Sequence, residues 1–118
     1  MTTRQALGAY GEALAAKYLV QRGMELLDHN WHGDGGEIDL VLRDGKAVVI
    51  CEVKTRRSTS HGAPIAAVGQ RKLATMRRLA AQWMSSRGEH AEEIRLDLVG
   101  VLAPYGRAPQ IEHVAGVG

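Results

Sequence analysis

The stretch that decides the fold is Gly36-Glu37-Ile38-Asp39-Leu40-Val41-Leu42-Arg43-Asp44-Gly45-Lys46-Ala47-Val48-Val49-Ile50-Cys51-Glu52-Val53-Lys54. Two runs rich in aliphatic and β-branched residues, Glu37 to Arg43 and Lys46 to Lys54, flank Asp44-Gly45, a favoured two-residue hairpin turn. That turn sets Arg43 opposite Lys46, Val41 opposite Val48 and Asp39 opposite Ile50. Side chains alternate along a strand, so parity sorts them into two faces. One face collects Ile38, Leu40, Leu42, Ala47, Val49, Cys51 and Val53, all apolar, and must be covered. The other collects Asp39, Val41, Val48, Ile50, Glu52 and Lys54, apolar in the middle and charged at the end away from the turn.

Asp39 and Glu52 then fall on diagonal cross-strand positions, about 7–8 Å apart in backbone terms, from which both carboxylates can bend toward one point. Like charges on a half-buried face repel unless something positive intervenes, either Lys54 on the same strand or a divalent ion. Oxygen-only donors favour magnesium or manganese. Charge alone does not choose between a bound cation and a cross-strand ion network, which at a sheet end is worth about 0–1 kcal/mol.

Outward from the hairpin, turn signals divide the chain into helix, strand, hairpin, helix, strand, strand. A first helix is expected from a Thr2 or Thr3 cap to Gly23, with Leu7, Tyr10, Leu14 and Tyr18 as its buried stripe. Glu12 sits among Gly8, Ala9, Ala15 and Ala16, so the helix could approach the sheet closely there. An exposed glutamate beside alanines is equally ordinary, and the residues by themselves favour that reading. Met24 to Asp28 reads as a short strand and His29 to Gly36 as a polar loop around Trp31. A second helix is expected after Pro64, ending at Arg87 before Gly88, with Leu73, Met76, Ala80 and Trp83 as its stripe. Ile94 to Leu102 reads as a strand and Gln110 to Val114 as an edge strand. Interspersed helices and strands indicate an α/β domain.

The chain has 118 residues, room for one domain, and 45% apolar with 24% charged residues is the composition of a chain that folds unaided. The longest aliphatic run, Ala47 to Cys51, is far short of the ~20 residues of a membrane span, and no secretory leader is visible. Cytoplasm is the expected compartment, and the single cysteine, Cys51, suits it. A net charge of +2 carries little information, but its distribution is uneven. From Lys54 to Gly88 there are eight basic residues (Lys54, Arg56, Arg57, Arg71, Lys72, Arg77, Arg78, Arg87) and no acid, a stretch able to meet phosphates. Gly33, Gly35 and Gly36 lack the context of a phosphate loop. The five histidines show no ligand spacing in a helix or strand and are expected to be hydrogen-bonded or solvent-facing.

Gly36-Glu37-Ile38-Asp39-Leu40 followed by Glu52-Val53-Lys54 resembles the PD-(D/E)xK nuclease core, an acid on one strand and an acid-x-lysine on the next. Within that superfamily the chain is similar to the bacterial YraN-like proteins, themselves similar to Holliday-junction resolvases. Further segments carry the likeness: Gly11-Glu12-Ala13 with Leu19 and Gly23, Asn30-Trp31, Asp44-Gly45, Thr55-Arg56, Ala67-Val68 with Lys72, and Ala81 with Trp83. Ile38 stands where the first motif often has proline. The resemblance implies a restriction-endonuclease-like fold, a mixed sheet with helices on both faces in a single domain. It also implies metal-dependent hydrolysis of DNA phosphodiester bonds, in structured or branched DNA. Asp39 and Glu52 would be the ligands of Mg2+ or Mn2+, Lys54 the catalytic lysine and Glu12 a helix-borne catalytic acid. Arg56 and Lys72 match basic positions and, with Arg57 in the same basic stretch, are the expected DNA contacts. A homodimer is implied because junction resolvases cut two strands symmetrically. The competing class is a nucleic-acid-binding module that retains the fold without turnover.

Overall fold

The hairpin is the centre of the sheet. A computed structural model describes residues 1–118, the side chain of Ala67 excepted. Its elements are α1 (Thr3–Gln21), β1 (Glu25–Gly33), β2 (Gly36–Asp44), β3 (Ala47–Arg56), a 3-10 turn at Pro64–Ala67, α2 (Gln70–Arg87), β4 (Glu93–Leu102) and β5 (Gln110–Val114). The strands lie in the order β1-β2-β3-β4-β5, with β3 and β4 parallel and every other neighbour antiparallel. The parallel pair is the one joined through α2, because a parallel return needs a crossover. The result is a five-stranded mixed α/β sheet with a helix on each face, an architecture consistent with a restriction-endonuclease-like fold.

Each face has its own core. Ala15 and Leu19 of α1 pack with Leu40, Leu42, Val49, Cys51, Val99 and Val101. Leu73, Met76, Leu79, Ala80 and Trp83 of α2 pack with Val41, Val48, Ile50, Leu96 and Leu98. The stripe expected for α2 is therefore its buried face, with Leu79 added. Trp83, 1% exposed, also donates through Nε1 to Asp28 Oδ2 at 3.0 Å and so ties α2 to β1.

Four expectations are corrected. The hairpin pairs Asp44 with Ala47, Arg43 with Val48 and Val41 with Ile50, so the two-residue loop is Gly45-Lys46. Gly45 has φ +59 at the first loop position, the one place a type II′ turn requires it. Asp44 thereby stays in the strand, where its carboxylate takes the Arg95 guanidinium at 2.9 Å. The slip is two residues, an even number, so the faces survive. The exception is Ile38, which packs with Val41 on the α2 side and not with Leu40. The β2–β3 ladder ends at Leu40–Cys51, and beyond it the strand no longer keeps its alternation.

The polar segment after Asp28 is strand, not loop: β1 runs on to Gly33, with Trp31 opposite Ile38 and Gly33 opposite Gly36 around Asp34-Gly35. As an edge strand β1 can present His29, Asn30 and His32 to water, so its polarity is no bar to pairing. In α1, Tyr10 is 46% exposed, and the buried line is Gly11, Ala15 and Leu19. Gly11 and Ala15 are small there because the helix presses on β3. A Cβ at Gly11 would come within 2.9 Å of the Oγ1, Cβ and Cγ2 atoms of Thr55.

Gly11→Ala should therefore force α1 off β3 and cost about 1–3 kcal/mol in urea unfolding. Gly8→Ala, where an added methyl meets nothing within 4 Å, should instead stabilise by up to about 1 kcal/mol through helix propensity. Equal effects of the two substitutions would show that the close approach is not a constraint.

Candidate active site at the parting of two strands

Beyond Leu40–Cys51 the central strands separate, and Val53 N–H donates to Asp39 Oδ2 at 2.8 Å. A side-chain oxygen thus takes a donor that a strand carbonyl would otherwise accept. Continuing the observed register one step brings Asp39 level with Glu52, directly across and not on a diagonal. Both carboxylates are buried, each residue only 6% exposed. Glu52 Oε1 lies 3.8 Å from Lys54 Nζ, and Glu52 Oε2 lies 3.2 Å from Lys72 Nζ. β3 supplies Glu52 and Lys54, β2 supplies Asp39 and α2 supplies Lys72.

Glu12 comes from the opposite face. Gly11 brings α1 down onto Thr55, and the next residue is carried to the edge of the same centre, half-buried. Burial, then the charges of Glu37 and Glu52, raise its pKa, while the Asn30 amide opposes them. Glu12 is therefore half-buried and not the exposed residue that its small neighbours favoured. Asn30 adopts φ +48, the single positive value among the described non-glycine residues.

The acids are in excess of what the lysines neutralise. Burial, then the Glu52 charge, push the Asp39 carboxyl up to about 7, against the Val53 amide and Lys72, which pull it down. Such a shift marks a place where negative charge is costly and a cation is welcome. Among the described residues no three His, Cys, Asp or Glu side chains gather closely enough to cage an ion unaided. Two carboxylates suit magnesium nonetheless, because it retains several waters and takes the rest of its shell from substrate phosphates. Asp39 and Glu52 are the side chains that fit such an ion.

The basic residues divide. Lys72, expected on a nucleic-acid surface, is the nearer of the two lysines to Glu52 and belongs to the charged centre. Arg56 is exposed, and Arg57 lies over the Tyr105 ring at 4.1 Å while donating to the Ala103 carbonyl at 3.1 Å.

Asp97 was not anticipated. It is 0% exposed and receives Arg95 through two bonds at 2.9 and 3.0 Å, His113 at 2.7 Å and the Gly116 amide at 3.1 Å. Burial works against its charge, yet these donors hold its pKa below the usual carboxylate range. The overlooked signal was Arg95-x-Asp97, a salt-bridging pair on one face of an otherwise apolar strand. Asp97 itself stands level with Cys51 of β3, and through Arg95 the network reaches Asp44 and ties β4 to the turn end of the hairpin.

The family model described as "Uncharacterised protein family UPF0102" matches residues 11–101. The chain belongs to this family. A UPF0102 protein of Nocardioides sp. is 53% identical over 115 residues, covering 98% of this chain and 93% of the relative. The UPF0102 protein of Beutenbergia cavernae is 47% identical over the full length of both chains, and that of Streptomyces griseus is 51% identical over 99% of each. The matched span in this UPF0102 chain includes Glu12, Asp39, Glu52, Lys54 and Lys72.

The raised pKa of Asp39 has a thermodynamic consequence. The unfolded side chain ionises near 3.9 and the folded one at about 7. The favourable contribution is therefore complete below about pH 4 and is lost as pH rises to about 7. In metal-free buffer Asp39→Asn, which keeps an oxygen for Val53 N–H, should gain stability over the parent across that window, by a few kcal/mol on the order of one per pH unit. Urea unfolding of both proteins from pH 4 to 8 measures it, and a constant difference would refute the assignment.

Proposed function

We propose that this protein is a metal-dependent endonuclease of the PD-(D/E)xK superfamily, hydrolysing DNA phosphodiester bonds in structured or branched DNA. The observation that carries the reading is the convergence of buried Asp39 and Glu52 with Lys54 and Lys72 where the central strands part. A cross-strand ion network would sit exposed at a sheet end. These carboxylates are instead desolvated, one of them unfavourably, and the lysines stand between them and solvent with about a third of their side-chain surface exposed. Stability alone gives no reason to bury an acid whose charge is disfavoured.

Asp39 and Glu52 would hold magnesium or manganese, which when bound offsets charge on a phosphate oxygen and lowers the pKa of a water. Val53 N–H donates to the Asp39 carboxylate and fixes it, so the acid is aimed before substrate arrives. Lys54 orients the attacking water and balances charge as the phosphorus centre gains electron density. Lys72 pairs with Glu52 Oε2 and offers its remaining donors to a phosphate oxygen. Glu12, its pKa raised by burial and by the neighbouring acids, faces the group from α1 and is placed to hold a proton there. Arg56 and the basic start of α2 meet the flanking phosphates. Two copies acting together would cut both strands of a branch.

The test is a cleavage assay on four-way junction, flap, duplex and single-stranded DNA with magnesium, manganese or chelator. Asp39→Ala and Glu52→Ala should lose cleavage to background while keeping fold and DNA binding. Lys54→Ala should lower the rate about 10²–10³-fold. Cleavage that persists in either acid variant defeats the assignment. DNA binding by the parent protein without any cleavage would assign the binding-module class.

A further inference from the structure

We infer that the groove beside Lys54 is a subsite for an unpaired nucleotide of the DNA strand, with Tyr105 stacking its base. The groove, about 700 Å³, lies between the start of α1 and the end of β3, and Arg4, Lys54, Arg56, Arg57 and Tyr105 line it. None of its described lining residues is acidic. It is continuous with the charged centre through Lys54, whose Nζ is 3.8 Å from Glu52. A polyanion placed with one phosphate at Lys54 would therefore run on into a channel of matching charge.

The aromatic member gives the surface its selectivity. Tyr105 lies in the turn between β4 and β5 and is 76% exposed, the most exposed aromatic among the described large apolar side chains. Exposure does not leave it loose. The Arg57 guanidinium sits over the ring at 4.1 Å, and Arg57 is itself anchored to the Ala103 carbonyl at 3.1 Å. One ring face is thus backed by a fixed cation, and the exposure leaves the rest of the ring to solvent. A platform of that kind accepts a nucleobase at small entropic cost, and the cation behind it adds attraction for the passing phosphate. Bases inside a duplex are already stacked on both sides, so only an unpaired base can use it. The surface therefore fits single-stranded DNA or the open segment at a branch, and a continuous duplex gains from its arginines alone.

The inference depends on the proposed function only for the identity of the nucleic acid. Binding can be measured in chelator, where cleavage plays no part. Fluorescence anisotropy should compare an oligo-dT of about 12 nucleotides, within the usual span of single-strand sites, with a blunt duplex of equal length. Tyr105→Ala should weaken oligo-dT binding about 5- to 100-fold and duplex binding less than about twofold, and Tyr105→Trp should restore oligo-dT affinity to within about threefold. Circular dichroism confirms that each variant is folded, as expected for so exposed a side chain. Equal losses on both ligands, or failure of tryptophan to rescue, would overturn the stacking platform. Tighter binding of oligo-rU than of oligo-dT would overturn the assignment to DNA. A protein that cleaves nothing but keeps Tyr105-dependent oligo-dT binding loses the nuclease reading and retains this one. A nuclease whose binding ignores Tyr105 does the reverse.

Discussion

The site depends on one hydrogen bond made where a ladder bond would be expected. Val53 gives its amide proton to the Asp39 carboxylate and not to a backbone carbonyl. That exchange lets β2 and β3 separate beyond Leu40–Cys51 without leaving a buried donor unsatisfied. It also draws Asp39 inward, opposite Glu52, and turns Ile38 over to the α2 side. Two acids are then held in a place where neither the chain nor water solvates them fully. The rest of the structure answers that strain with Lys54 from the same strand and Lys72 from the helix beneath.

Converging these groups requires both helices to be set accurately on the sheet, and they are set by opposite means. α2 uses bulk: Leu73, Met76, Leu79 and Trp83 fill its face, and the Trp83–Asp28 bond fixes its position along β1. α1 uses absence of bulk: Gly11, Ala15 and their small neighbours let its backbone lie against Thr55. A long side chain at Gly11 would lift the helix and carry Glu12 away from the centre. The second ion network, Asp97 with Arg95 and His113, reaches the turn end of the strands through Arg95, which pins β4 to the hairpin at Asp44. The two polar clusters differ in completeness. Asp97 is saturated with donors and its charge is favoured, as in a structural anchor. Asp39 is undersupplied with donors and its charge is disfavoured.

Much of this was legible along the chain. Periodicity located α2, the hairpin, β4 and β5 to within a few residues, and parity alone put Asp39, Glu52 and Lys54 together because a two-residue error in register leaves faces unchanged. The errors have physical causes. Asp44-Gly45 suits a type I′ turn, but Asp44 is better satisfied by Arg95 within the strand, so glycine alone took the positive φ. The polar run from His29 to His32 suggested a loop because an edge strand need not be apolar. Tyr10 suggested a buried stripe because size was taken as the signal for packing, while at that contact smallness was.

By itself the sequence determined the alternation of helices and strands, the apolar faces that had to be covered, and the presence of acid, acid and lysine on adjoining strands, since these follow from local period and composition. Only the tertiary structure decided that the two acids lose their solvent, that Lys72 reaches Glu52, that Glu12 turns inward and that Asp97 is encircled. Each of those depends on how closely elements far apart in the chain approach one another, and that distance is set by packing between helix and sheet, which no local pattern encodes.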